Sequence, residues 1–370
     1  MEWFDAKTRV LAWLRANRGP CLWLAGGAAA LGAFWLARGS AAFMEGAVRW
    51  FAAPAKRAVS AAADLLPFSL AEALCTALGL WAIAFAAGAV RRRLQGRKGL
   101  ARRLVVLAAV GLWVWAGVCW LWGAHYYAGS FSQKSGLAAQ PVSAQQLKAT
   151  ALLFAQGANR TGAQVQRDAQ GRFLADSGQI MADGAASLEG LAAEYPFLAG
   201  PGRRPKPAAY SWFMSAAGFT GYIFPFTGES TLNLHCPNVY LPVTIAHEQA
   251  HQRGVAPEQE ANFVGIAACL AHSDAAWQYS GWLFGFAHLY NALYSADAEA
   301  AAEVWQQLEA GPRADLAWNN EYWDSFEGPA NDLAESTYTA FLQSYGQSMG
   351  MASYGACVDL LVARYGPAAE

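Results

Sequence analysis

Three apolar stretches in the first third of the chain constrain its folding more than anything that follows. Cys21 to Ala37 carries no charge and is rich in Leu, Ala, Gly and Trp. Leu70 to Val90 holds a single carboxylate, Glu72, near one end, and Leu104 to Gly123 holds none. A bilayer takes a helix of about 20 such residues at roughly 1.5 Å each, so all three read as transmembrane helices, the first at the short end. A cleaved signal peptide is the alternative for the first, with small residues at Gly39-Ser40-Ala41-Ala42. The two spans that follow favour a retained anchor. Trp113, Trp115, Trp120 and Trp122 give the third span an aromatic cast, the last two near its far end.

Charge sets the expected orientation. Arg91, Arg92, Arg93, Arg97, Lys98, Arg102 and Arg103 crowd the loop between the second and third spans. By the positive-inside rule that loop is cytoplasmic, the N-terminus is inside as well, and everything after Tyr127 lies outside. Arg38, Arg49, Lys56 and Arg57 argue weakly the other way, being spread over a longer segment. Phe43 to Leu66 in that segment mixes apolar and charged residues at near-helical spacing. It fits a helix lying on the membrane surface as well as a plain loop helix.

The remainder carries one pattern with chemistry in it: His247-Glu248-Gln249-Ala250-His251. Four residues are a little over one helical turn, so the two histidines project from one face and can hold one ion, with zinc as the expected metal. Glu248, one step round the helix, can take a proton from an attacking water without binding the metal. Gly254 can end the helix, and Pro257 suits the first turn of another that folds back beside it. Glu258 opens that second helix and is the favoured third ligand, with Glu260 the competitor on a different face. Ala261 would allow close helix approach, and Asn262 could bond the outer nitrogen of a ligand histidine.

Glu258-x-x-Ala261-Asn262 resembles the matching stretch of glutamate-liganded zinc peptidases. A wider resemblance is carried by Lys206-Pro207, Ser211-Trp212-Phe213-Met214-Ser215, Gly218 to Tyr222, Phe224 to Glu229, the metal motif, Tyr279-Ser280-Gly281, Ser353-Tyr354-Gly355 and Val358 to Leu361. Together these resemble a bacterial family of membrane-anchored proteins catalogued as domain of unknown function 3810. The resemblance covers essentially the whole chain, including its three-span start. It implies a mainly α membrane protein: three spans in residues 1–127, then a zincin-like, mostly helical catalytic domain with a small β element in residues 128–370. It also implies a zinc peptidase of the cytoplasmic membrane acting outside the cytoplasm, and it names no substrate.

Along the second part, Ala128 to Gln140 reads as a polar linker, and Gln146 to Ala158 and Ala182 to Tyr195 as amphipathic helices. Tyr222 to Phe226 and Thr231 to Leu234 read as short strands, placed where zinc peptidases hold extended substrate by backbone pairing. Helices are expected over 257–271, 274–295, 297–310, 329–344 and 351–364. Ala261 to Tyr294 is apolar enough to raise a fourth span, but His272, Asp274 and His288 interrupt it and favour core helices.

Of the other polar residues, Tyr279 and His272 could donate to a developing oxyanion, but satisfied core packing is the favoured reading for each. Glu229 follows a turn ahead of the metal helix and is a further substrate-side candidate, or else a solvated turn residue. His235 and Cys236 are adjacent and cannot readily share one ion. Of six cysteines, Cys21, Cys75 and Cys119 fall in apolar spans; Cys236, Cys269 and Cys357 allow at most one pair. The net charge of −1 offers nothing to nucleic acid, while 55% hydrophobic against 14% charged residues agrees with a bilayer as partner.

The leading expectation is therefore a peptide or envelope-protein hydrolase, its oligomeric state unspecified. The alternatives are a zinc-stabilised module that binds an envelope partner without catalysis, and a hydrolase of a non-protein envelope amide. A base at Glu248 favours hydrolysis, since a purely structural site needs none.

Overall fold

A computed structural model describes residues 2–97, 99–137, 139, 142–346 and 354–367. Lys98 of the basic loop, Gln140 of the linker, and Ser353 with the start of the expected 351–364 helix lie outside these residues. The chain is 73% helical with 3% strand, a mainly α protein. It divides into two compact units, Met1–Lys56 with Leu70–Ala128, and Arg57–Ser69 with Gly129–Glu370.

The first unit holds α1 (Glu2–Ala16), α2 (Arg18–Ala37), α3 (Ala41–Ala47), the start of α4 (Ala53–Ala63), α5 (Leu70–Leu94) and α6 (Leu100–Leu121). Among the described residues, α2, α5 and α6 are long and apolar enough to cross a membrane, and this is a membrane protein. Helices α2 and α6 pack along each other where Gly27 meets Leu112 and Trp113. The indole N–H groups of Trp113 and Trp120 donate to the carbonyls of Trp23 and Ala30, each at 3.0 Å. Such bonds keep tryptophan's one polar atom satisfied in apolar surroundings. The stretch expected as a single helix over Phe43 to Leu66 is broken by a π-helical turn at Val48–Ala52. Pro54 has no N–H to continue the α register there, which accounts for the wider turn.

The second unit begins with α7 (Phe131–Ser135) and α8 (Ala144–Gly162), followed by α9 (Ser177–Asp183) and α10 (Glu189–Ala192). The single helix expected over Ala182 to Tyr195 is thus divided. Gly184 and Gly190 allow the close approaches that divide it: a Cβ would fall 2.8 Å from Ile245 at the first and 3.0 Å from the Ala271 carbonyl at the second. Three strands follow, β1 (Lys206–Pro207), β2 (Gly221–Ile223) and β3 (Ser230–Leu232), in the order β1-β3-β2. β1 runs parallel to β3, and β2 antiparallel to it with Tyr222 opposite Thr231. Short α11 (Ser211–Ala216) lies between β1 and β2 in sequence.

The helical core is α12 (Leu241–Gln252), α13 (Glu258–Ala271), α14 (Ala275–Ala296), α15 (Ala298–Gln307), α16 (Ala310–Asp324), α17 (Pro329–Ser344) and α18 (Tyr354–Tyr365). α12 packs on α13, α14 and the sheet, while α14 packs along α8. That last contact is tight: Gly157 lies against the Trp282 ring and Gly285 against the Phe154 ring. The apolar run of α13 and α14 is buried inside this unit, as core helices require. The polar linker expected over Ala128 to Gln140 is only partly that, since Phe131 of α7 is 1% exposed and joins the core.

Residues 57–69 belong to this unit although two apolar helices separate them in sequence from its remainder. Asp64 pairs with Arg203 at 3.1 Å, the Lys206 ammonium donates to the Leu66 carbonyl, and Ser69 Oγ meets Thr231 Oγ1 at 3.1 Å. Buried Lys206 and Thr231 thereby fasten this segment to β1 and β3. All six cysteines are unpaired.

Candidate metal centre

α12 starts with Pro242 in its first turn, where the missing N–H costs nothing, and stops at Gly254, whose φ of +90° suits glycine. His247 and His251, one turn apart, present their rings edge to face with centroids 4.5 Å apart. α13 brings Glu258 to the same point. Its Oε2 lies 3.3 Å from His247 Nε2 and 3.5 Å from His251 Nε2. All three donor atoms fall within 4.8 Å of one another.

These spacings fit a cation better than they fit hydrogen bonds. Zinc bonds of about 2.0–2.1 Å in a tetrahedron set neighbouring donor atoms about 3.3–3.4 Å apart, whereas a charge-assisted N–H···O bond closes to about 2.7–2.9 Å. His251 Nδ1 lies 2.6 Å from the Val255 carbonyl. A carbonyl only accepts, so Nδ1 carries a proton; in the neutral ring Nε2 then turns a lone pair toward the carboxylate. Two electron-rich atoms facing each other in this half-buried cluster suit a cation held between them. Burial alone would raise the Glu258 carboxyl, but His251 and His247 hold it well below the usual carboxylate range.

Glu258 Oε1 accepts a 2.6 Å hydrogen bond from the Tyr338 hydroxyl of α17. The phenol occupies one carboxylate oxygen and leaves the other to the histidines. Tyr338 is in turn set edge-on against Phe219 and stacked on Phe341. Glu248 is buried beside the cluster, and burial pushes it up to about 7, with His247 pulling it down and Glu258 adding to the rise. Gly221 of β2 lies directly against its carboxylate: a Cβ there would sit 3.0 Å from Oε1. β2 is an edge of the three described strands, and its Gly221 runs past Glu248.

The other residues singled out from the sequence divide clearly. Glu260 points elsewhere, accepting from the Phe131 and Ser132 amides at 2.8 and 3.1 Å and from the Ser132 hydroxyl at 2.8 Å. Asn262 lies half-buried on α13; the outer nitrogen of His251 is taken by the Val255 carbonyl, so the role expected for Asn262 does not fall on that histidine. Tyr279 takes the core-packing role and not the oxyanion one. Fully buried, it donates to Asp315 Oδ2 at 2.5 Å with Arg167 completing the group, so its hydroxyl serves the core between α14 and α16. His272 lies in the turn between α13 and α14, accepting from the Asp274 amide and stacking on Trp277. Glu229 is buried, not a solvated turn residue; its backbone carbonyl bonds the Phe224 amide across the β2–β3 turn. His235 Nδ1 meets the Tyr322 hydroxyl at 2.8 Å, apart from the cluster.

Three contributors escape a reading of the sequence: Tyr338, Gly265 and His288. Gly265 continues the stripe of Glu258 and Ala261 along α13. A Cβ there would lie 3.1 Å from both His247 N and Val243 O, so it is this glycine that brings the two helices backbone to backbone at the first ligand. His288 of α14 is buried and pushed down to about 4, by burial and then by His247.

Residues 50–362 match the family model described as protein of unknown function DUF3810. The chain belongs to that family. No curated protein and no solved structure matches it. The DUF3810 match runs from Trp50 to Val362 and so takes in the second and third apolar helices, the sheet, the cluster and Tyr338.

Proposed function

We propose that this DUF3810 protein is a membrane-anchored zinc peptidase with a zincin-like catalytic domain, in which His247, His251 and Glu258 hold the ion. The observation that carries the reading is the set of two imidazole nitrogens and one carboxylate oxygen at 3.3 and 3.5 Å, with Glu248 buried beside it. Bound there, zinc supplies Lewis acidity and lowers the pKa of water to about 7. Glu248 takes the proton of the attacking water and returns it to the leaving amine nitrogen. A carboxyl raised to about 7 by burial suits both halves of that task near neutral pH. The backbone of β2 holds an extended substrate by adding a strand, aligned past Glu248 by the side-chain-free edge at Gly221. Tyr338 fixes the Glu258 carboxylate by holding its second oxygen.

The same reading places the domain outside the cytoplasm. Residues 57–69 and 129 onward form one compact unit and must lie on one side of the bilayer. An even number of crossings, α5 and α6, connects them, with Arg91 to Arg97 between. That basic turn is cytoplasmic by the positive-inside rule, so the unit faces the other way.

The test is Glu248→Gln, which keeps shape but cannot accept the proton. The variant should retain one zinc per chain and an unchanged melting temperature. Cleavage of an envelope-protein mixture should fall by roughly two or more orders of magnitude. Equal cleavage by both forms removes Glu248 from the mechanism, and loss of zinc makes it a ligand instead. Zinc bound with no cleavage by either form favours the non-catalytic module.

A further inference from the structure

We propose that the substrate is a polypeptide anchored in the same membrane, cut within about ten residues of its entry into the bilayer at an extended reach of about 3.3 Å per residue. This rests on the hydrolytic reading above and adds the class of substrate to it.

The argument is a short path through the catalytic unit. Ser69 is covalently followed by Leu70, the first residue of an apolar helix long enough to span the membrane. Its hydroxyl meets Thr231 of β3 at 3.1 Å. Thr231 pairs with Tyr222 of β2, and the neighbouring Gly221 lies against the Glu248 carboxylate. Two residue steps of about 3.8 Å, two short side chains, one hydrogen bond, one strand spacing of about 4.8 Å and one van der Waals contact make up the whole path from Leu70 to the catalytic carboxylate, at most about 25 Å. α5 has 25 residues, with Glu72 in its first turn. At about 1.5 Å per residue it is about 37 Å long, about 7 Å more than the roughly 30 Å hydrocarbon core, or about five residues shared between its two ends. A peptide at Glu248 is therefore no more than about eight extended residues from the first residue of that helix.

A second observation agrees. Tyr210, Trp212 and Phe213, beside and in α11, are 45%, 54% and 65% exposed, and Leu65 and Phe68 of the docked segment 84% and 50%. Tryptophan and tyrosine favour the headgroup level of a bilayer, and Leu65 and Phe68 lie within five residues of the span. A peptidase for freely diffusing substrates needs neither this surface nor so short a tether.

The experiment maps the new N-termini that appear in the envelope of cells carrying the wild-type chain and not Glu248→Gln. The sequence around a mapped cut is then placed behind spacers of about 3, 8, 20 and 40 residues from a membrane anchor, and also released free, with the full chain in proteoliposomes. Expected are termini clustered within about ten residues of spans or lipid anchors, and cleavage greatest with the spacer of about eight, at least roughly tenfold above the free peptide. Termini scattered through soluble proteins, or cleavage that rises with spacer length, overturns the substrate class and leaves the peptidase reading standing. No wild-type-specific termini overturns that reading, and this inference with it.

Discussion

Glu258 and Glu260 are two residues apart, and helical geometry sends them to different work. Glu258→Gln removes the negative oxygen that faces both histidines, so purified protein should lose most of its zinc, read by elemental analysis. Glu260→Gln should keep the metal yet cost about 1–3 kcal/mol of stability, because the amide cannot accept from all three of its Phe131 and Ser132 donors. The opposite outcome, metal lost with Glu260→Gln and kept with Glu258→Gln, would exchange their roles. Tyr338→Phe isolates a different contribution, since it deletes only the hydroxyl on Glu258 Oε1. Competition with a chelator should show zinc held roughly 10-fold or more weakly, with the melting temperature almost unchanged. His247, Glu248 and His251 can be read in five residues because one helical turn fixes their relation. Tyr338 cannot, since nothing local distinguishes it from any other helix tyrosine; it reaches the site only because α17 folds back over α13.

At the scale of elements, the site depends on how closely α13 approaches α12. Gly265→Val would drive a branched side chain into the backbone at Val243 and His247, where nothing flexible can yield. The helices should separate and the zinc should dissociate far more readily. Ala261→Gly on the same stripe should leave metal content intact and cost only the roughly 1 kcal/mol of helix propensity. Zinc retained by Gly265→Val would show that the approach is not what places Glu258. The long apolar helices were plain in the sequence because composition alone decides them, to within a few residues at each end. α16 falls between the helices expected from the sequence, over 297–310 and 329–344; Pro312 sits in its first turn, where a missing N–H is harmless. Asp315 behind it then accepts the bonds of Tyr279, Arg167 and the Phe173 amide, which is why Tyr279 belongs to the core. The division of 182–195 was equally hidden, because it depends on what Gly184 and Gly190 meet in space.

For the whole molecule, the proposed sidedness rests on the basic turn after α5, and the union of residues 57–69 with residues 129 onward extends it to the second unit. A reporter fused after residue 97 should behave as cytoplasmic and one after residue 135 as extracytoplasmic; the reverse pattern would move the site to the other compartment. The docked segment also has a consequence for biogenesis and for turnover. The catalytic unit is assembled from two stretches of chain that the ribosome delivers with two membrane insertions between them. Ser69 and Leu66 must therefore wait at the membrane until Lys206 and Thr231 are synthesised, and the domain cannot finish folding ahead of its own anchor. Nor can it be shed by a single nick: with the chain cut near residue 129, residues 57–69 still hold it at both of their ends, to α4 and to α5. A protein so built works where it was inserted, and its control has to come through what reaches it.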